Sequence, residues 1–150
     1  MTSAAAQEEE RTRFLIALND GDGVSEATAY LDAGGDINAP IIPIIEHTLL
    51  HLAAVHRKVK LIEMLAGQGA DFGVRDAIGM TPLHHAVMHE MNAILMGVQE
   101  PDFPCARKLY QLGASLDAVD NNGKTPRDFA GTGGSQIRAA FDEAMVDQDD

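Results

Sequence analysis

This chain has little cysteine, little positive charge and no long apolar run, and each shortage removes a class of function. One cysteine among 150 residues, Cys105, excludes an intramolecular disulfide and any metal site built from thiolates alone. Residues 1–13 contain no apolar run and Glu8-Glu9-Glu10 opposes one, so nothing near the N-terminus reads as a signal peptide. No stretch approaches the roughly 18 uninterrupted apolar residues of a membrane span. The expectation is a soluble, cytoplasmic protein with no membrane partner. Eleven Lys and Arg against 23 Asp and Glu leave a formal net charge of −12, and such a chain repels nucleic-acid phosphates. The acidity either serves solubility or attracts a basic protein partner. Several acids lie where the ends are expected to fray, at Glu8 to Glu10 and at Asp147, Asp149 and Asp150.

Catalytic signatures are missing as well. Ser3, Ser25, Ser115 and Ser135 have no motif around them, and Gly-x-Ser-x-Gly is absent. Gly131-Thr132-Gly133-Gly134-Ser135 is the one glycine-rich run, and it lacks the Gly-Lys-Ser/Thr element of a phosphate loop. It reads as a loose turn between helices. Asp142 and Glu143 are adjacent on a helical stretch and point apart. Arg57, Lys58 and Lys60 read as a small solvated basic edge. No enzyme activity and no cofactor are expected.

What the chain does have is repetition. His47-Thr48-Leu49-Leu50-His51-Leu52-Ala53-Ala54 returns 33 residues later as Met80-Thr81-Pro82-Leu83-His84-His85-Ala86-Val87, and Lys124-Thr125-Pro126-Arg127-Asp128-Phe129-Ala130 is a third copy. A period of this size marks a stacked array of small helical units. Thr81 and Thr125 are placed to cap helices, with Pro82 and Pro126 at the first helical position, where the missing N–H has no partner to lose. Thr48 keeps the cap without the proline. Val59, Leu61, Ile62, Met64 and Leu65 are spaced for a second helix, which Gly67-Gln68-Gly69 stops.

These residues resemble the ankyrin repeat. Thr48 to Ala54 and Thr81 to Val87 match its first-helix signature. Gly34-Gly35-Asp36, Gly69-Ala70-Asp71 and Gly113-Ala114-Ser115 match the end of its second helix. Asp76-Ala77-Ile78-Gly79 and Asp120-Asn121-Asn122-Gly123 match its hairpin tips. The resemblance implies an all-α solenoid of four stacked helix-turn-helix repeats with short β-hairpin loops, the terminal repeats acting as caps. It places a flexible tail at 1–10, an ankyrin-repeat domain at 11–146 and a second tail at 147–150. The repeats fall at about 11–38, 46–74, 79–116 and 123–144.

Three departures stand out. The hairpin from Asn38 to Glu46 has Pro43 and Glu46 where the family favours Asp and Gly, and it is two residues longer than its counterpart. The third repeat carries 11 extra residues between its helices, an insertion at about 91–102 expected on the edge opposite the hairpins and outside the core. Within and beside it, Met91, Ile94 and Leu95 either pack on the neighbouring repeat or form an exposed methionine-rich patch. In the fourth repeat, Gly131, Gly133 and Gly134 should loosen the turn.

Six histidines raise a metal hypothesis. His85 and His89, four apart on one helix, have ligand spacing, and Asp102 or Cys105 from the insertion would have to complete the set. Against this, the resemblance gives His51 and His84 a structural role, hydrogen-bonded across the hairpin layer. The expectation is therefore no metal, with a small metal-binding protein as the alternative. The resemblance implies non-catalytic binding of a partner protein along a concave face of hairpin tips and first helices. By register that face comprises Ile42, Ile44, Ile45 and His47, then Val55 and His56. The next repeat adds Arg75, Ala77, Ile78, Met80, Met88 and His89, and the last adds Val119, Asn121, Asn122 and Lys124. The isoleucines either pack on one another or anchor an interface, and neither Ile78 nor Met80 is assigned to the core. A monomer acting as an inhibitor, immunity-type protein or adaptor is the expected form.

Overall fold

The computed structural model describes residues 4–146. Among them are eight helices and no extended strand: α1 (Ala4–Asp20), α2 (Val24–Asp32), α3 (Leu49–Val55), α4 (Val59–Gly67), α5 (Pro82–Leu95), α6 (Pro104–Gln111), α7 (Pro126–Gly131) and α8 (Ser135–Ala144). They pair in sequence as α1 with α2, α3 with α4, α5 with α6 and α7 with α8, and the pairs stack through α3 on α5 and α5 on α7. The result is an all-α solenoid of four units. Its hairpins are minimal, with a single antiparallel bridge between Ile42 and His47.

Three first helices start in the same way. The hydroxyls of Thr48, Thr81 and Thr125 accept the backbone N–H of the third helical residue, and that residue's side chain returns to the threonine N–H. This reciprocal cap satisfies two donors that a helix start otherwise leaves unpaired. The residue completing it is His51, His84 and Asp128 in turn. The helices then bury one continuous apolar seam, including Leu50, Leu61, Ile62, Leu65, Leu83, Val87 and Leu109, each no more than 1% exposed. Each unit covers its neighbour's apolar face, so no unit has a complete core alone.

The N-terminal segment and the insertion differ from expectation. Residues 4–10, expected as a flexible tail, form the first turns of α1, where Arg11 pairs with Glu8 and Arg13 with Glu10. Arg11 also donates to the carbonyl of Ile41 at 2.7 Å, tying α1 to the first hairpin. Residues 1–3 and the tail at 147–150 lie outside the described residues.

The insertion is partly embedded in the core. It lengthens α5 to 14 residues against 7 in α3. Met91 and Ala93 are buried, and Phe103, just beyond its end, packs edge-on against Phe141 of α8. Only its turn is open, with Leu95, Met96 and Val98 at 57%, 76% and 64% exposure. The glycine turn of the fourth repeat is tight rather than loose. A Cβ on Gly133 would stand 2.8 Å from the Met91 sulfur, so glycine is there to permit close approach.

Candidate functional site

The hairpins form one edge of the solenoid, and the second and third are built alike. Asp76 Oδ1 accepts the N–H groups of Ile78 and Met80 at 3.1 and 2.9 Å, while the Met80 carbonyl accepts the Asp76 N–H. Asp120 Oδ1 does the same for Asn122 and Lys124, both at 2.9 Å. An aspartate side chain thus stands in for a backbone acceptor and sets each turn. The first hairpin has Pro43 at that register position and closes through the His47 carbonyl, which accepts from Ile41 and Ile42. Neighbouring tips are joined: Ala77 N–H donates to the Ile45 carbonyl at 3.1 Å and Asn121 N–H to the Ile78 carbonyl at 3.0 Å. Arg75 adds a bond to Asn121 Oδ1.

This edge carries exposed apolar side chains. Ile44 is 91% exposed, Ile78 58%, Ile45 42% and Val119 41%. Arg75, Ala77, Asn121, Asn122 and Lys124 are exposed beside them, and Ile42, Val55, His56, Met88 and His89 are half-buried. Two expected surface residues are not at the surface. Met80 is 2% exposed, because its backbone closes the Asp76 turn and draws the side chain under it. His47 is buried too, because its ring turns inward to Asp76.

Behind the tips lies a layer of histidines. The Thr48 N–H donates to His51 Nδ1 at 3.2 Å, so Nδ1 is bare, and the proton on Nε2 donates to the Met80 carbonyl at 2.9 Å. His84 repeats the arrangement, from the Thr81 N–H at 3.1 Å to the Lys124 carbonyl at 2.8 Å. Each ring therefore caps its own helix and grips the next hairpin. Burial holds both below the ordinary histidine range, against the opposing pull of the carbonyl bonds. Asp128 completes the cap in the fourth repeat and has no N–H to pass onward.

Asp76 has a second role. Its Oδ2 lies 3.1 Å from His47 Nε2 and 2.7 Å from His85 Nε2. Burial lowers the pKa of His85 to about 4, partly offset by the bond to Asp76. Burial works the other way on Asp76, but its hydrogen bonds from His85 and the Met80 and Ile78 amides hold the carboxyl below its usual range. At neutral pH Asp76 is a carboxylate whose Oδ2 accepts from Nε2 of both rings, with the His85 ring held neutral. The alternative pairing of His85 with His89 does not form: the rings stack at 5.9 Å and His85 Nε2 is directed to Asp76. Cys105 does not join them, because its backbone N–H is held by Glu90 and burial, with the Glu90 charge, pushes its thiol up.

Glu90 was not singled out from the sequence. It is fully buried, and its oxygens accept the N–H groups of Cys105 and Ala106, both at 2.9 Å, and the Gln99 amide at 3.2 Å. It anchors the insertion to the start of α6. Burial raises its pKa, opposed by those same bonds. An acid in the middle of Val87 to Met96, an otherwise mostly apolar stretch, is the signal that could have revealed it. Two shallow clefts, of about 200 and 260 Å³, line up no serine, cysteine or histidine.

A stacked helical array with joined hairpin tips defines a protein–protein interaction module. Residues 50–96 match the family described as ankyrin repeats in many copies, and residues 78–121 match the single ankyrin repeat. The chain belongs to the ankyrin repeat family. It is 33% identical to ankyrin repeat and SOCS box protein 6 of Mus musculus over 69% of this chain and 22% of that protein. It is 35% identical to protein phosphatase 1 regulatory subunit 27 of Homo sapiens over 53% of this chain and 45% of that protein. A third relative, ankyrin repeat domain-containing protein 17 of Homo sapiens, is 37% identical over 45% of this chain and 3% of its own length. The chain thus spans about a fifth of the first relative and under half of the second. Among the described residues no helix is long and apolar enough to cross a membrane.

Proposed function

We propose that this protein is a non-catalytic binder that masks or regulates one partner protein through its hairpin edge. The supporting observation is the exposure of Ile44, Ile45, Ile78 and Val119 on hairpin tips, positions that solvent normally keeps polar. Apolar anchors ringed by polar residues are the usual centre of an interface. Here Arg75, Asn121, Asn122 and Lys124 supply the rim. The net charge of −12 favours a basic partner by steering its approach. One relative bears the name of a phosphatase regulatory subunit, so regulation of an enzyme by binding has a parallel among similar chains. A single buried cysteine suits a reducing compartment such as the cytoplasm.

The test is capture with the intact protein as bait, comparing wild type with Ile44→Arg and Ile78→Arg. Each variant should weaken capture of the specific partner at least tenfold while the melting temperature stays within experimental error, since both side chains are solvent-facing. Met80 is excluded from this test because it is buried. Capture unchanged by both substitutions would sink the proposal.

A further inference from the structure

We propose that His47, Asp76 and His85 form a binding site for one divalent first-row cation, zinc above all, clamped between the second and third repeats. The three side chains come from separate places: the hairpin before α3, the hairpin before α5, and the second turn of α5. One ligand atom from each lies within 4.8 Å of the others, and the two contacts to Asp76 Oδ2 are 3.1 and 2.7 Å. Ligand atoms about 2.0–2.1 Å from a tetrahedral zinc are about 3.3 Å apart; the two edges to Asp76 Oδ2 reach that by opening a few tenths of an ångström, and the edge between the imidazole nitrogens lies within 4.8 Å.

The fold does not require these imidazoles. Asp120 sets its turn through the same pair of Oδ1 bonds, yet the positions equivalent to His47 and His85 one repeat later hold Met80 and Phe129. The histidines at Asp76 are therefore additional to what the hairpin needs. The carboxylate is also oriented in advance, because the Ile78 and Met80 amides hold Oδ1 and leave Oδ2 facing the rings. Nδ1 of both His47 and His85 is buried without a hydrogen-bond partner. When the metal takes Nε2, each neutral ring carries its proton on Nδ1 instead, and only the two bonds to Asp76 are given up. Two nitrogens and one carboxylate oxygen suit zinc, cobalt or nickel, whereas calcium and magnesium demand oxygen-rich shells. Water completes the fourth position.

The experiment uses untagged, chelator-stripped full-length protein titrated with zinc chloride by calorimetry and with cobalt chloride by visible absorption. The expected result is one ion per chain, with affinity reduced at least tenfold by His47→Gln and by His85→Gln. Glutamine can still donate to Asp76, which preserves the fold. The His89→Gln variant should bind as wild type does. In wild-type protein labelled with 15N at histidine, zinc should shift the ring nitrogens of His47 and His85 and leave those of His51 and His84 in place, a readout that needs no variant. Absence of stoichiometric binding overturns the site. So does binding that survives both glutamine substitutions, or that is lost in His89→Gln, because the ion then sits elsewhere.

Discussion

The first hairpin, Ile41 to His47, and the second, Asp76 to Met80, occupy equivalent places and differ in what fixes them. The second is fixed from within, by Asp76 Oδ1 accepting two amides of its own turn and by Gly79 at φ 81°. The first has Pro43 in place of the aspartate and Glu46, at φ 56°, in place of the glycine. It closes only through the His47 carbonyl and is otherwise held from outside, by Arg11 on the Ile41 carbonyl, by Ala77 on the Ile45 carbonyl, and by His47 on Asp76. A non-glycine residue in the left-handed region persists only where its surroundings impose it. The hairpin with the poorest turn chemistry is also the one with the most exposed apolar tip, at Ile44.

The largest expected difference between the two lies at the aspartate. Asp76→Ala strips one buried amide, one part-buried amide and two imidazoles of their acceptor and should cost about 3–5 kcal/mol in urea unfolding. At the equivalent position, Pro43→Ala should change stability by about 0.5 kcal/mol or less. Comparable losses from both would erase the distinction. Next comes the glycine. A Cβ on Gly79 would stand 2.7 Å from the Asn121 backbone nitrogen at a positive φ, so Gly79→Ala should cost about 1–3 kcal/mol. Its mirror, Glu46→Gly, relieves strain and should stabilise by about 1 kcal/mol or less. A destabilised Glu46→Gly protein would mean that the side chain contributes to the fold after all.

The histidine grips supply a pH dependence. His51 and His84 bind protons less readily folded than unfolded, so the unfolded chain takes up more protons as pH falls. Stability is then full above the unfolded value of about 6.5 and declines as pH falls below it. Urea midpoints should drop between about pH 7.5 and pH 5, and His84→Gln should flatten that slope while lowering stability at neutral pH. A wild-type midpoint that rises on acidification would contradict the neutral, Nε2-protonated rings.

The solenoid was legible because its signals are local. Threonine caps, proline at the first helical turn and glycine stops act within four residues, and they repeat in register. The hairpin tips followed from the same register, which placed Ile44, Ile45, Ile78 and Val119 on an exposed edge. What was not legible is what depends on side-chain direction. Met80 and His47 lie on the hairpins by sequence yet turn inward, because one follows an aspartate turn and the other reaches 29 residues onward to Asp76. Glu90 joins α5 to α6 across 15 and 16 residues, so no short-range pattern announced it. The glycines at 131–134 read as looseness, although Gly133 is small to admit Met91.

The hairpin edge, led by the first hairpin, is proposed as the surface that meets a partner. The most direct measurement is amide hydrogen exchange on the full chain, free and saturated with its captured partner. Exchange should slow at residues 44–46, 77–79 and 119–123, with little change at residues 95–100 around the exposed Leu95, Met96 and Val98. Protection confined to residues 95–100, with the hairpin tips unchanged, would place the interface on the insertion and contradict the account.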